Sequence, residues 1–528
     1  MQLIDDLTLG KLLRNTAAQY PDRIAIMTRE KDYTYSQLDK AVDLTARRLL
    51  ALGVKRGDHI GILCETEPMM IILFYALARI GAVAVIYNTS LKADELAPLV
   101  DRSDTTMMLA GDGYKDVIFP EEVYNLLNMC PKLEKGYFVG QKYSFGLKML
   151  KDVRPVSTDV LRYAESAVQP QDTAQILFTS GTTSLPKMVM GSQYARANCG
   201  RMQAKDLGAT KDDIFLAALP TFHCFSLSVN VVAACSVGAA LVLPASRKTV
   251  VLLSAIQDRH VTILSCVPTL FFAMMKRADF KRWDVSSLRV GFIGGSYCPP
   301  PQFEAVEKAF GMTVLSSLGQ TEATAGLTTA NIDDPLEVRA TTLGHMMDYL
   351  EGKIVDIKTG EDLPAGEVGE ICVRGYVVMQ GYYKMPEETA KAIDKDGWLH
   401  TGDMGYFRPE DGYLVLTGRV KDLIIRGGEN ISPAEIEDTA MENPMVDECR
   451  AIGVPDKHYG EEACLCVVLK EDCELDPEVL KAELAKKLAS FKVPKFILMM
   501  RSLPKSPTGK IKLRELKEKA YKRLGITE

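Results

Sequence analysis

The stretch Thr179-Ser180-Gly181-Thr182-Thr183-Ser184-Leu185-Pro186-Lys187 follows directly on the apolar run Gln175-Ile176-Leu177-Phe178. A strand that empties into a small, hydroxyl-rich loop ending in lysine suits the binding of phosphate. Backbone N–H groups and hydroxyls donate to phosphate oxygens, and the lysine adds a point charge. The Walker A spacing G-x-x-x-x-G-K-[ST] is absent. Read alone, the stretch fits an ordinary Ser/Thr-rich surface turn equally well.

Composition narrows the field. A chain of 528 residues, 47% hydrophobic and 25% charged, is ordinary for a globular protein of several domains. Its net charge of −6 argues against a nucleic-acid footprint, which needs a basic excess. The twelve cysteines are scattered, with Cys464 and Cys466 one residue apart and no C-x-x-C pair. No zinc or disulfide framework is readable, and unpaired thiols suit a reducing compartment. The acidic start, the shortness of the apolar run 69–78 and the ending Gly-Ile-Thr-Glu carry no signal for export, membrane or peroxisome. A cytoplasmic protein without an integral membrane segment is expected.

Strand and helix alternate through most of the chain. Leu38, Val42, Thr45, Leu49 and Leu52 fall at helical spacing across 36–52, and Gly53 follows as a stop. Strands are expected at 59–64, 83–87, 261–266 and 289–293, and helices at 69–80, 268–275 and 301–310. This pattern implies α/β architecture, with parallel-type sheets under helical cover. Short strands punctuated by Gly and Asp over 352–416 suggest a β subdomain. A smaller αβ pattern follows, including a helix over 433–441 capped by Ser432. The expected division is a large N-terminal domain over 1–417, a hinge at 418–422 and a small mobile C-terminal α+β domain over 423–528.

Further segments carry chemistry. Leu318-Gly319-Gln320-Thr321-Glu322 follows the apolar strand 313–315, where open α/β sheets place ligands. Glu322 suits Mg²⁺, which takes one or two carboxylates plus phosphate oxygens; a plain helix start is the other reading. Asp403, in the turn Thr401-Gly402-Asp403, can accept from a vicinal diol such as ribose, or serve only as turn chemistry. Gly418-Arg419-Val420-Lys421-Asp422 is where a hinge would be sought. Arg426-Gly427-Gly428-Glu429-Asn430 is a turn before a helix. Lys510 closes Pro504-Lys505-Ser506-Pro507-Thr508-Gly509 and, unaided, reads as part of a solvated basic tail.

Taken in this order and spacing, the set resembles the adenylate-forming superfamily of acyl-CoA synthetases, peptide-synthetase adenylation domains and luciferases, on its acyl-CoA synthetase branch. The resemblance runs from about Leu9 to Leu516. It implies an acid–thiol ligase that uses ATP and Mg²⁺ to convert a carboxylic acid to acyl-AMP, then passes the acyl group to CoA. By that resemblance Thr179, Ser180, Gly181, Thr182, Thr183 and Lys187 grip the β- and γ-phosphates. Gly294, Gly295 and Ser296 lie along adenine, and Leu318, Gly319 and Gln320 border the nucleotide. Thr321 touches the α-phosphate, Glu322 binds Mg²⁺, and Asp403 and Arg419 take the ribose hydroxyls. Lys510 bridges the carboxylate and the α-phosphate. Lys421 is the hinge, and Gly427, Gly428 and Glu429 reach the CoA tunnel. The chain departs from the family pattern at Leu318, where a tyrosine usually stacks on adenine, and at Ser184, where a glycine is usual.

Pro220-Thr221-Phe222-His223-Cys224-Phe225-Ser226 fits the segment bordering the acyl pocket. Amino-acid-activating members usually carry Asp at the His223 position, so an amino acid is disfavoured: a buried, unpaired ammonium is costly. His223 is assigned to the catalytic group as a gate, with simple packing as its other reading. Phe222, His223, Val231, Tyr297 and Gly326 are the expected pocket neighbours, suiting a short- to medium-chain fatty acid or an aryl acid. No Arg or Lys stands out as partner for a second substrate carboxylate. Free CoA is the expected acceptor. A ligase loading a separate acyl-carrier protein and a kinase-like ATPase remain as alternatives.

Overall fold

The computed structural model describes residues 6–179, 186–296, 298–426, 429–505 and 511–526, with Lys421, Glu429 and Asn430 described in their backbone alone. Ser180, Gly181, Thr182, Thr183, Ser184, Tyr297, Gly427, Gly428 and Lys510 lie outside the described residues. Among the described residues, an eight-stranded sheet runs Gly381–Tyr382, Met188–Ser192, Thr173–Phe178, Val83–Ile86, His59–Leu63, Met107–Ala110, Lys135–Phe138, Lys148–Met149. From Thr173–Phe178 onward its pairs are parallel, with Ala84 opposite Gln175 and Ile60 opposite both Ala84 and Met107. The other edge turns antiparallel, Phe178 facing Met188 and Tyr382 facing Val189. Val83–Ile86 is buried at every position because helices cover both faces.

Those helices follow from local chemistry. Tyr35–Ala51 opens on a capping box between Thr34 and Gln37 and buries Leu38, Val42, Thr45 and Leu49. Pro68–Ile80 starts with proline at its first turn and is closed by Gly81 at φ 72°, the left-handed cap that glycine takes without strain. It is apolar around almost its whole circumference, as a helix clamped between sheet and neighbouring helices must be.

A second sheet orders Ile214–Leu216, Ala240–Val242, Ile24–Met27 and Asp32–Thr34, with the parallel pair Val290–Ile293 and Thr313–Ser316 beside it. Segment 261–266 was expected as a strand and forms only isolated bridges, at Ile263 and Cys266. Two side chains take backbone partners there: Thr262 Oγ1 accepts from Ile214 N at 2.9 Å and Ser265 Oγ from Phe292 N at 3.1 Å. Such local bonds compete with a regular ladder. The antiparallel subdomain expected after residue 350 orders Asp362–Leu363, Leu350–Val355, Gly369–Gly375, Leu399–Phe407 and Leu414–Arg419.

The last sheet contains the long hairpin Val446–Asp456 and Gly460–Leu469, flanked by Ile424–Arg426, Glu429–Ile431 and Phe496–Met499. Helix Pro433–Met441 packs on it as expected, but Ser432 makes no side-chain cap bond. Its hydroxyl instead donates to the carbonyl of Thr417, across the 418–422 junction. On the buried face of this helix Glu437 accepts from Ala451 N at 2.9 Å and faces Arg450 Nη1 at 3.3 Å, while Arg450 Nη2 reaches Asp422 at 3.2 Å.

Burial pushes the Glu437 carboxyl up to about 7, against the lowering pull of Arg450. The folded protein therefore holds a proton that the unfolded chain has released, so this stabilisation is full below the ordinary carboxylate range and is lost as pH rises through about 7. Urea unfolding of this part of the chain at pH 5 and pH 8 is expected to show wild type losing stability on the order of 3 kcal/mol more than Glu437→Gln. Parallel pH slopes for the two proteins would contradict it.

Candidate active site

A cleft of about 3580 Å³ opens at the end of strand Thr173–Phe178 and extends to residues of the C-terminal sheet. Thr179 N donates to Lys187 O at 3.0 Å, joining the two ends of the hydroxyl-rich stretch. Lys187 enters the cleft with its Nζ 2.6 Å from Glu388 Oε2 and 4.6 Å above the ring of Tyr382. The Tyr382 hydroxyl donates to Glu322 Oε1 at 2.9 Å. Hydrogen bonding from Lys187, then from Lys391, holds Glu388 down at about 2. Burial, followed by the charge of Glu322, pushes the Tyr382 phenol well up. Tyr382 and Glu388 carried no motif signal. They reach Lys187 because Gly381–Tyr382 pairs with Met188–Ser192 at the sheet edge.

The nucleotide-type residues converge on the same cleft. Gly294, Gly295, Ser296, Leu318, Gly319, Gln320, Thr321 and Glu322 line it, as do Asp403 and Arg419. Gly295 sits at φ 83°. Gly319 passes so close to the next turn that a Cβ there would lie 1.5 Å from Ala325 O. Asp403 and Arg419 stand opposite each other on neighbouring antiparallel strands, and Arg419 Nε reaches Asp403 Oδ1 at 2.8 Å. Asp403 is 3% exposed, whereas Arg419 leans into the open cleft. Lys421 lies in the short 3-10 turn Val420–Asp422, and Glu429 in strand Glu429–Ile431. Next to Lys510, Ile511 and Lys512 line the cleft.

On the acyl side, Phe222 and His223 line the wall with ring centroids 4.6 Å apart. Thr321 Oγ1 donates to Cys224 Sγ at 3.7 Å, tying this wall to the Thr321–Glu322 turn. Two expected neighbours sit elsewhere. Val231 is packed in the main core and Val229 takes the cleft wall. Both belong to Ser226–Val232, which winds as a π-helix and is buried along its whole length. Gly326 lies behind the wall, where a Cβ would come 2.5 Å from Gln203 Nε2, and Ala325 lines the cleft instead. A further donor set, Glu370, Cys372 and His400, holds together by its own contacts, His400 Nδ1 being 2.8 Å from Glu370 and 3.5 Å from Cys372.

Residues 13–383 match the AMP-binding enzyme family, and residues 435–510 its C-terminal domain. The chain belongs to the AMP-binding enzyme family. It is 35% identical to the putative acyl-CoA synthetase YngI of Bacillus subtilis (strain 168), over 98% of each chain. Another relative is the mitochondrial medium-chain acyl-CoA ligase ACSF2 of Rattus norvegicus, 31% identical over 98% of this chain and 88% of that one. In fold, the chain is similar to the anthranilate CoA ligase AuaEII in complex with anthranoyl-AMP, at a TM-score of 0.87 over 100% of both chains and 24% identity. Among the described residues no helix is long and apolar enough to cross a membrane.

The close approach at Gly319 has a measurable consequence. Gly319→Ala must displace the Ala325 carbonyl, whereas Gly402→Ala, at φ 71° with no atom within 4 Å, meets only left-handed strain of about 1 kcal/mol. Thermal denaturation is expected to show the larger loss for Gly319→Ala. Equal melting temperatures would contradict the geometry.

Proposed function

We propose that this member of the family is an ATP-dependent acyl-CoA synthetase acting on a carboxylic acid of short to medium reach. One observation carries the reading: the Lys187–Tyr382–Glu322 cluster, the Asp403–Arg419 pair and the Phe222–His223 wall all face a single cleft. A triphosphate chain, a ribose and an acyl chain need those three surfaces within reach of one another. The matched relatives are named as acyl-CoA synthetases and ligases, which supports the same conclusion.

In the first half-reaction a carboxylate oxygen attacks the α-phosphorus of ATP, pyrophosphate leaves and acyl-AMP forms. Lys187, held at the strand end by Glu388, exchanges that carboxylate for the β- and γ-phosphates together with Thr179, Ser180, Gly181, Thr182 and Thr183. The buried Asp403 and the cleft-facing Arg419 orient the ribose, and the small residues Gly294, Gly295 and Ser296 leave room for the adenine plane. Leu318 contributes apolar packing where stacking is usual. Glu322 fits a magnesium ion: Tyr382 holds Oε1, while Oε2 accepts no bond from the described residues. When bound, the metal neutralises phosphate charge. Thr321 adds a hydroxyl beside it. Lys510 stabilises the negative charge that develops between carboxylate and α-phosphate.

In the second half-reaction the CoA thiol attacks the acyl carbon, AMP leaves and the thiol proton is released. Division of the chain into domains over 1–417 and 423–528, hinged at Lys421, lets Gly427, Gly428 and Glu429 replace Lys510 at the reacting centre. His223 gates the acyl side. The mostly apolar wall of Phe222, Leu318 and Val229 suits an aliphatic or aryl acid. That none of the twelve cysteines is in a disulfide supports a reducing, cytoplasmic setting.

Incubation with ATP, Mg²⁺, CoA and a panel of C4–C12 and aryl acids is expected to yield AMP, pyrophosphate and acyl-CoA. ADP and phosphate as products would overturn the reading, and AMP formation only with an acyl-carrier protein would reassign the acceptor. Lys510→Ala is expected to lower acyl-AMP formation at least a hundredfold while leaving CoA transfer from supplied acyl-AMP within tenfold of wild type. Equal losses in both steps would remove Lys510 from its assigned role. Tyr382→Phe is expected to raise the Mg²⁺ concentration for half-maximal rate several-fold; an unchanged requirement would separate Tyr382 from the metal.

A further inference from the structure

Among the described residues, the two largest side chains that are completely buried are both arginines, Arg79 and Arg196. Arg79 is neutralised by Asp39, at 2.6 Å, and by Asp43. The nearly buried Arg339 is likewise paired with Glu307, Nη2 lying 2.9 Å from Oε1. Arg196 has no such partner among the described residues. Its Nη1 donates to Thr324 O at 2.6 Å, to Cys224 O at 3.4 Å and to the Ser228 hydroxyl, and its Nε is buried with no acceptor at all. Burial pulls the guanidinium down from its ordinary range, and only the thiols of Cys224 and Cys199 act against that. A charge buried among neutral carbonyls is costly, and nature rarely leaves it uncompensated.

Its location is specific. Arg196, Cys199, Gly200 and Gln203 recur at i, i+3, i+4 and i+7 on one face of helix Gln193–Asp206. That helix packs on the π-helix Ser226–Val232, where a Cβ at Gly200 would come 2.5 Å from Val232. Gln203 lines the cleft, together with Cys224, Val229 and Ala325, which stand at or next to the three acceptors of Arg196. Unsatisfied polar atoms collect in this part of the fold. The Gln203 carbonyl oxygen and both amide atoms of Asn230 are buried without partners.

We propose that the end of the cleft backed by Arg196 is a subsite for a second acidic group, so that the acid activated here carries a carboxylate at the far end of a short- to medium-length apolar chain. The proposal rests on the acyl-CoA synthetase reading above. The apolar wall of Phe222 and Val229 holds the chain body, Arg196 balances the distal charge, and Asn230 Nδ2 donates to it. A distal hydroxyl would leave the guanidinium uncompensated, whereas a carboxylate neutralises it and accepts from Arg196 Nε and Asn230 Nδ2, both buried without partners. The alternative is that Arg196 is solely a strut for the Thr324–Ala325 turn, whose φ angles are 62° and 159°. A strut accounts for Nη1 but supplies neither a counter-charge for the guanidinium nor an acceptor for Asn230 Nδ2.

The test is pyrophosphate release with ATP and CoA for acids matched in length: hexanoate against adipate, octanoate against suberate, with 6-hydroxyhexanoate as the neutral polar control. For wild type, kcat/KM is expected to be at least tenfold higher for the diacid of each pair, and higher for adipate than for the hydroxy acid. Arg196→Met is expected to bring the diacid-to-monoacid ratio below one, chiefly through KM for the diacid, and Arg196→Lys to restore part of the preference. A wild-type preference for methyl-ended acids overturns the subsite alone. Equal loss on both members of each pair in Arg196→Met assigns Arg196 to the strut, and a preference for the hydroxy acid overturns the anionic assignment. If Arg196→Met fails to fold by circular dichroism, the wild-type ratios decide by themselves. Absence of pyrophosphate with every acid overturns the synthetase reading and the subsite with it.

Discussion

The cleft depends on a change of direction in the backbone. A sheet that is parallel through His59–Leu63, Val83–Ile86 and Thr173–Phe178 becomes antiparallel at Met188–Ser192 and stays so at Gly381–Tyr382. Parallel pairing sends the chain away through a helix, whereas antiparallel pairing returns it at once to the strand end it has just left. The bond from Thr179 N to Lys187 O is the first rung of that return. It puts a lysine at the mouth of the sheet, and the next strand over puts Tyr382, and through it Glu322, under the same lysine. Three segments distant in sequence thus share one small volume because of hydrogen-bond direction in a single sheet.

Much of this was legible in the sequence, for reasons that particular residues make plain. The Pro68–Ile80 helix was readable because its apolar run and Gly81 leave few alternatives. The cleft residues Lys187, Glu322, Asp403 and Arg419 were readable because their motifs, each ordinary when read alone, occur together in one order and spacing. What escaped was whatever depends on a partner elsewhere in the chain. Glu388 is one more acidic residue until Lys187 lies beside it. Val231, expected at the pocket, lies in the core, and its neighbour Val229 borders the cleft from the same π-helical segment. Segment 261–266 keeps only part of a ladder, because two of its side-chain oxygens accept from backbone donors whose positions are fixed only in three dimensions.

Arg196 shows the same limit from the other side. In a sequence an arginine reads as solvent-facing, and most are. Here its neighbours Ala195, Ala197, Cys199, Gly200 and Ala204 are small and buried, a composition that lets the helix approach the π-helix closely. A long charged side chain set among small ones on a buried face was the available signal. Burial of a charge has to be matched within the fold or by what the fold binds, and the contrast between Arg79 and Arg196 separates these two cases.

Ser432 gives the junction an exchangeable bond. Its hydroxyl donates to the Thr417 carbonyl, and in this position its oxygen makes no cap bond to the helix that begins at Pro433. Separating the two sides of the junction breaks one hydrogen bond but releases the residue type best suited to cap that helix, worth about 1 kcal/mol when it does so. The two arrangements then differ by which backbone group Ser432 satisfies, not by whether it is satisfied. Under the hinge proposed above, the junction would exchange one hydrogen bond for another as it turned, at little net enthalpic cost.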